Sequence, residues 1–202
     1  MPVPLTSARR DPGYKLGDES PGVPASVMER SCQATWPPSH RDRDTGRVNP
    51  RVESVTRQLR EAGVAGEVRI LEMQAHTAAL AAEQLGIEVG AIANSLIFDA
   101  DCAPLLVMTS GAHRVDTAKV AALLGIVTLR RADPDFVRRH TGQSIGGVAP
   151  IGHPEPIGTL VDIELARYAE VWAAAGHPST VFPTTYAELL RITSGTAAEV
   201  GN

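Results

Sequence analysis

The chain has 202 residues, 43% of them hydrophobic, which is a composition typical of one globular domain with a core of its own. A formal net charge of −4 excludes a protein that binds nucleic acid through an overall positive charge. Any RNA contact must therefore come from a local basic patch. Two cysteines exclude a disulfide framework, and no apolar run reaches the roughly 18 residues of a membrane-spanning helix, so we expect a cytoplasmic protein without a membrane partner.

The N-terminal part of the chain, residues 1–48, is rich in proline and mixed charges and lacks helical or strand periodicity. Such a segment cannot bury enough apolar surface to offset its chain entropy. The sequence therefore predicts a disordered N-terminal extension, with a short docked arm anchored by Trp36 as the alternative. We expect the folded domain at residues 49–195 and a C-terminal tail at residues 196–202.

The folded part begins with a helix whose start and stop signals are clear. Asn49 is placed as the N-cap, Pro50 as the first helical residue and Gly63 as the stop. Residues 68–71 then read as a short strand, and residues 77–85 as an Ala-rich helix closed by a glycine.

The middle of the chain predicts a β-hairpin and several short elements. Residues 93–98 and 105–109 are β-rich and are joined by an acidic turn that contains a proline, so they should pair. The later elements are expected in this order: a helix from Asp116 to Gly125, a strand at 126–129, a helix from Asp133 to about His140, strands at 159–163 and 170–173, a short strand at Val181, and a helix capped by Thr184 or Thr185. Short strands with irregular helical connections favour an α+β fold in which a mixed sheet curls around its core.

A glycine-rich loop spans residues 141–152 and contains a G-x-S-x-G pattern around Ser144. Asp162 and His177 follow in the order that an α/β-hydrolase would use. However, that nucleophile elbow needs a strand before the serine and a helix after it, whereas a helix precedes this loop and Pro150 lies within it. A serine esterase is therefore only a distant alternative.

The same loop allows a second interpretation, because consecutive glycines let a backbone turn its N–H groups towards an anion. Gly146 and Gly147 could form such a cradle, or they could simply form a tight turn, and spacing does not decide between these. His177 is the best candidate for a functional imidazole, although a locally bonded loop histidine is equally compatible. His76 and His153 are assigned structural or exposed positions.

The basic residues in this half of the chain form two pairs around one short helix, and the histidines form no pair at metal-ligand spacing, so no metal or cofactor is expected. The pairs could form a patch that contacts tRNA phosphates, although solvated charge at the ends of elements is the ordinary interpretation. The candidate tRNA contacts are Arg130, Arg131, Arg138 and Arg139.

Several motifs occur together in one order along residues 52–192: Asn94-Ser95-Leu96, the helix from Asp116 to Gly125, Ala132-Asp133-Pro134, the glycine loop, and Gly176-His177-Pro178. In these motifs the chain resembles the YbaK/EbsC-type aminoacyl-tRNA deacylases and the related editing insertion domain of bacterial prolyl-tRNA synthetases. The resemblance implies a curved, barrel-like mixed sheet flanked by helices. It also implies metal-free hydrolysis of mischarged tRNA esters that carry small amino acids such as alanine, cysteine or proline. The implied partners are the aminoacylated 3′ end of tRNA and, as a further candidate, an aminoacyl-tRNA synthetase.

The resemblance also assigns roles to residues. Gly146 and Gly147 would cradle the developing charge, and Asn94 stands where the family has a lysine that helps to hold the substrate. The implied substrate-binding residues are Ser95, Pro150, Gly176 and His177. Because an amide lacks the full charge that stabilises phosphate or an oxyanion, Asn94 leaves open a non-catalytic module that binds a tRNA end or an aminoacyl group.

Overall fold

The computed structural model describes residues 49–201 of the chain. The expected N-terminal extension, residues 1–48, lies outside the described residues. The described part contains five α-helices and eight strands, and short 3-10 turns at Val89–Ala91 and Ile163–Arg167 connect some of them. In chain order the elements are α1 (Pro50–Glu61), β1 (Arg69–Ile70), α2 (Ala78–Leu85), β2 (Ile92–Ala100), β3 (Ala103–Ser110), α3 (Thr117–Leu124), β4 (Leu129–Arg131), α4 (Pro134–Thr141), β5 (Gly158–Asp162), β6 (Val171–Ala174), β7 (Thr180–Thr184), α5 (Tyr186–Thr193) and β8 (Thr196–Ala198).

The strands form one mixed sheet with the order β1-β7-β6-β2-β3-β5-β8, and β4 pairs with the far half of β2. The pairs β2/β6, β3/β5 and β5/β8 are parallel, and the others are antiparallel. Within the described residues β1 and β8 do not pair with each other, so the sheet is open. The expected mixed sheet flanked by helices is confirmed.

Helices cover both faces of the sheet, because the strands alternate apolar residues between the two faces. The buried residues form three cores. On β2, Ala93 and Ile97 face a core that also contains side chains of α1, α4 and α5. Phe98 faces a second core with α3, and Ile92 faces a third with α2. The central strand β2 is therefore buried from two sides, which fixes its register.

The predicted helix caps are confirmed. The side chain of Asn49 accepts the N–H of Arg51, and that of Asp133 accepts the N–H of Phe136. Of the two residues proposed to cap the last helix, Thr185 does so, by accepting the N–H of Glu188. These signals are local, because each cap bonds to the backbone within three residues.

The hairpin turn is tighter than expected. Strands β2 and β3 pair up to Ala100 and Ala103, so only Asp101 and Cys102 remain between them, with φ values of 48° and 70°. The carboxylate of Asp99 accepts the N–H of Cys102 at 2.7 Å, which stabilises this turn.

Two expectations at strand positions are corrected. The strand expected at 126–129 begins only at Leu129, because the N–H groups of Val127 and Thr128 are bound by the side chain of Asp101 instead of by a strand. Residues 196–201 are not a tail: β8 pairs in parallel with β5, and Val200 is fully buried. A strand of three small residues depends on its partner strand for stability. The local sequence does not show that pairing.

Candidate functional site

The central strand β2 has a gap in its pairing. On one side it pairs with β3 from Ala93 to Ala100, whereas on its other side it meets β6 at Ile92 and Ala93 and meets β4 from Phe98 onwards. In the part of the chain that the structure describes, residues 94–96 have no partner strand on this second side. Backbone groups in such a gap are free to bind a ligand in the manner of a strand edge.

A pocket lies at this gap. Asn94 and Ser95 of β2 line one wall, and His76 and Gly146 contribute from the segments on either side. Much of the remaining wall is small or apolar: Ala75, Ala78, Ala81, Ala93, Ala174 and Val148. Few convergent polar groups in an apolar concavity are the usual composition of a small-ligand site.

The pocket is assembled by two loops that meet at Pro178. The N–H of Ala75 donates to the carbonyl of Pro178 at 2.9 Å, which brings the segment before α2 against the loop between β6 and β7. The glycine loop packs on the same place, since a Cβ on Gly147 would lie 2.5 Å from the carbonyl carbon of His177 and 2.6 Å from the Pro178 nitrogen. Close backbone contact therefore explains the glycine at 147.

The two adjacent glycines of the loop have different roles. The N–H of Gly147 donates to the carbonyl of Ser144 at 3.0 Å and closes a tight turn, so this N–H is not available to a ligand. Gly146 has a φ of +85°, lines the pocket and lies against His76. Among residues 49–201 its N–H has no hydrogen-bond partner. Of the two interpretations of the loop, Gly147 fits the turn, and for Gly146 the cradle stays a prediction.

Asn94 and Ser95 are placed together at the pocket, as the resemblance implied. The hydroxyl of Ser95 is buried and has no hydrogen-bond partner. A buried polar atom without a partner is costly, and a ligand that fills the pocket could satisfy it. Asn94 pairs in register with Thr109, whose hydroxyl donates to the fully buried carboxylate of Asp162 at 3.1 Å. The carboxylate of Asp162 on β5 thus lies two strands away from Asn94, on the same face of the sheet.

The other residues implied as substrate-binding, Pro150, Gly176 and His177, do not line the pocket. His177 is half-buried, and its Nδ1 accepts the N–H of Ser179 at 3.2 Å and lies 2.7 Å from the hydroxyl of that residue. Gly176 has a φ of +96° and packs on Val55 of α1. Pro150 is buried in the glycine loop. These residues support the loops that form the pocket.

The geometry does not support a serine esterase. The imidazole of His177 bonds to Ser179, while the carboxylate of Asp162 bonds to His113 at 3.0 Å and to the backbone N–H of Ser110 at 3.1 Å. Ser144 takes part through its carbonyl, in the turn closed by Gly147. The three groups of a triad are therefore engaged separately.

The four candidate arginines lie around α4 and β4, away from the pocket lining. Arg130 forms an ion pair with Asp99 at 3.3 Å, and Arg138 lies 3.9 Å from Asp135. Arg131 is exposed, and the Nε of Arg139 is buried without a partner. Their contact with tRNA stays a prediction.

Sequence reasoning did not place His76 or Trp172 in a pocket. His76 is exposed, which agrees with its assignment to a structural or exposed position, but it also lines the pocket beside Gly146. Trp172 of β6 also lines the pocket and is stacked with Arg69 of β1. The position of His76 just before the N-cap Thr77 was a weak signal, because caps fix where a helix starts but not what its first turn faces.

The described residues contain neither a metal-binding cluster nor a membrane-spanning helix. Across residues 49–201, no three His, Cys, Asp or Glu side chains come together in a way that could hold a metal ion. None of the helices in the same residues is long and apolar enough to cross a membrane.

Comparison with known proteins identifies relatives that cover most of the folded part. The family model of the aminoacyl-tRNA editing domain matches residues 72–192. The uncharacterized protein YwhH of Bacillus subtilis is 30% identical over 124 residues, which cover 61% of this chain and 78% of that protein. The proline–tRNA ligase of Limosilactobacillus fermentum is 34% identical over 96 residues, and the match covers 45% of this chain but only 17% of the ligase.

Solved structures agree with this grouping. The crystal structure of a candidate trans-editing enzyme for prolyl-tRNA synthetase is 38% identical, with a TM-score of 0.72, and the match covers 77% of this chain and 99% of that one. The hypothetical protein APE2540 is 25% identical, with a TM-score of 0.69, and the match covers 74% of this chain and 99% of that one. The chain therefore belongs to the aminoacyl-tRNA editing domain family.

Proposed function

We propose that this protein hydrolyses the ester that links a small amino acid to the 3′ end of a mischarged tRNA. The observation that carries the proposal is the pocket at the gap in β2. It is lined by Asn94, by Ser95 with its unpartnered hydroxyl, and by Gly146, and much of the remaining wall is small or apolar. The relatives that act with or as prolyl-tRNA synthetases support a tRNA substrate. We place the reaction in the cytoplasm, where tRNA is charged.

The alanine-rich wall suits an amino acid with a short side chain. Ala75, Ala174 and the buried Ala81 of α2 all line the space. One extra methylene in such a pocket discriminates by about 1–3 kcal/mol. We therefore infer alanine, cysteine or proline as the amino acid to be removed.

The proposed reaction uses water as nucleophile. Water adds to the carbonyl carbon of the ester, the bond from that carbon to the ribose oxygen breaks, and the ribose oxygen takes up the proton. The neighbouring ribose hydroxyl can position the water. In this reaction we assign the N–H of Gly146 to donate to the carbonyl oxygen as negative charge develops there, and one such donor typically contributes about 10²-fold or more in rate. Asn94 can donate a hydrogen bond to the substrate from its amide.

The test is deacylation of a panel of charged tRNAs by the purified full-length protein. Ala-, Cys- and Pro-charged tRNAs are compared with a Phe-charged tRNA as the bulky control, and loss of the amino acid is followed over time. Turnover of one or more small esters by wild type, abolished in Gly146→Val and retained in Ser144→Ala, is the expected result. Equal turnover of the Phe ester would contradict the role of the small side chains.

A binding module without chemistry is the second candidate, favoured by the neutral Asn94 at the position of the family lysine. Among the described residues the single lysine is Lys119, which pairs with Glu199 on the far side of α3. If wild type binds charged tRNA but releases no amino acid from any member of the panel, this second function replaces the first.

A further inference from the structure

A cation is fixed beside the pocket by stacking. The guanidinium of Arg69, on strand β1, lies over the ring of Trp172 at 4.8 Å from the ring centroid. Trp172 is buried and lines the pocket, and its indole N–H donates to the carboxylate of Glu170 at 3.0 Å. The carboxylate thus orients the ring, and the ring in turn orients the guanidinium.

Strand register places Arg69 on the pocket side of the sheet. Arg69 pairs with Val181 of β7, and Val181 pairs with Ala174 of β6. Paired residues on neighbouring strands project to the same face, and both Val181 and Ala174 line the pocket. Three strand spacings separate β1 from β2, so the backbone of Arg69 lies roughly 14 Å from that of Asn94.

The charge of Arg69 is not neutralised by this arrangement. The side chain is exposed, and in the described part of the chain no carboxylate lies within ion-pair distance of it. A guanidinium stacked on an aromatic ring keeps the N–H groups along its edge free for an acceptor. This combination of a fixed orientation and an unpaired charge is typical of arginines that bind phosphate.

We propose that Arg69, held on Trp172, binds a backbone phosphate of the RNA 3′ end while the aminoacyl ester lies between Asn94 and Gly146. This assignment rests on the proposed function and extends it from the ester to the nucleotides that precede it. It gives the site the cation that Asn94 does not supply. It also separates the two tasks, because a phosphate contact positions the substrate whereas the pocket selects the amino acid.

The first measurement is steady-state deacylation with two substrates that differ in phosphate. One is the charged tRNA preferred by wild type, and the other is the same amino acid esterified to adenosine, which has no phosphate. Arg69→Gln should raise KM for the tRNA about tenfold at unchanged kcat and leave the adenosine ester unaffected. Arg69→Lys should recover part of this loss, since it keeps the charge but not the stacked fork. Arg57→Gln is the matched control, because Arg57 is an exposed arginine of α1 that does not line the pocket.

The second measurement is binding of an uncharged RNA oligonucleotide that ends in CCA, which needs no hydrolysis. For wild type the logarithm of affinity should fall with the logarithm of salt concentration, and Arg69→Gln should weaken binding and reduce the slope by about 0.7, the value for one phosphate on a single strand. Trp172→Phe keeps a ring under the guanidinium and should lose less. If wild type binds this RNA through Arg69 but hydrolyses nothing, the proposed reaction fails and the phosphate site stands. Unchanged RNA affinity in a folded Arg69→Gln protein, or an equal loss with the adenosine ester, would overturn the site itself.

Discussion

Gly147 and His177 are in backbone contact: a Cβ added to the glycine would lie 2.7 Å from the Cα of the histidine. The two residues belong to two of the motifs that carry the resemblance, the glycine loop and the Gly-His-Pro segment. Their contact joins these motifs, so the position of the loop depends on it. The neighbour Gly146 instead presents its backbone to the pocket.

The two glycines should therefore fail in different ways. In Gly147→Ala the new Cβ meets backbone atoms, which cannot move cheaply, so we expect a loss of about 1–3 kcal/mol in the free energy of unfolding. For a domain of this size that lowers Tm by roughly 3–10 °C. In Gly146→Ala the positive φ costs about 1 kcal/mol, and the new Cβ lies 3.3 Å from Nδ1 of His76, which also lines the pocket. Deacylation by this variant should fall more than tenfold with only a small change in Tm, as measured by calorimetry and single-turnover kinetics.

Ser144→Ala is the control for both glycine variants, because Ser144 contributes its carbonyl to the turn. We expect its Tm within about 1 °C of wild type, as for a surface substitution with no lost bond, and its deacylation rate within twofold. A Gly147→Ala protein as stable as wild type would contradict the backbone contact.

Asn94→Lys should increase activity if the pocket otherwise works as proposed. A charge-assisted contact exceeds a neutral one by about 1 kcal/mol, which corresponds to roughly fivefold to tenfold in single-turnover deacylation. The gain should shrink as salt rises if the lysine contacts phosphate. Asn94→Gln, a longer side chain without charge, separates the effect of charge from that of length. A fall in activity with lysine and no change with glutamine would show that the pocket rejects a cation.

His153 should make the protein less stable in acid. Burial lowers the pKa of its imidazole below the ordinary value of 6.5. Below pH 6.5 the unfolded chain therefore takes up a proton at this position before the folded chain does, and the free energy of unfolding falls as pH decreases towards the folded pKa. Burial also lowers the pKa of His140, so part of the acid sensitivity should persist without His153. We expect urea unfolding at pH 7 and pH 5 to show a smaller loss in His153→Gln than in wild type, and an equal loss in both proteins would refute this role.

Removal of residues 196–202 should destabilise the domain, because β8 is part of the sheet. The deletion removes the pairing of Thr196 with Leu160. It also removes the buried side chain of Val200, and the carbonyl that accepts the N–H of Asp116. Burial of one valine side chain contributes about 1.5–3 kcal/mol, so Tm should fall by several degrees. Glu199→Gln is the control, since it breaks only the exposed ion pair with Lys119 and should change Tm by less than 2 °C. A truncated protein with the Tm of wild type would show that β8 does not contribute to the stability of the domain.

The sequence predicted those parts of the fold that depend on neighbouring residues. Asp116 caps α3 and Gly125 ends it in a left-handed conformation, because both signals act within one helical turn. The hairpin β2/β3 was predicted for the same reason. The predicted position of β4 was wrong, because the side chain of Asp101 binds the N–H groups of Val127 and Thr128, which lie 26 and 27 residues further along the chain. No local pattern reports such a contact.

The site was predicted in part. Asn94 and Gly146 were found because they lie in motifs that occur in a fixed order, and the structure brings both to the pocket. Arg69 and Trp172 could not be found, because their stacking joins positions about a hundred residues apart and neither lies in a motif. The sequence located Gly147 in the glycine loop but did not show its contact with the backbone of His177, which explains why a glycine is needed there.

The gap in β2 also limits how the protein can interact with others. An unpaired strand edge normally recruits strands from other molecules and promotes aggregation. Here the open stretch, residues 94–96, is closed at one end by β6 and at the other by β4, so its length is roughly 10 Å at the usual rise per residue. A strand from another molecule cannot form a ladder of hydrogen bonds along so short a stretch. A single short extended group can bind there. Strand pairing sets the length of the open stretch. Substitutions of pocket side chains can therefore change the width of the group that binds there, but not its length.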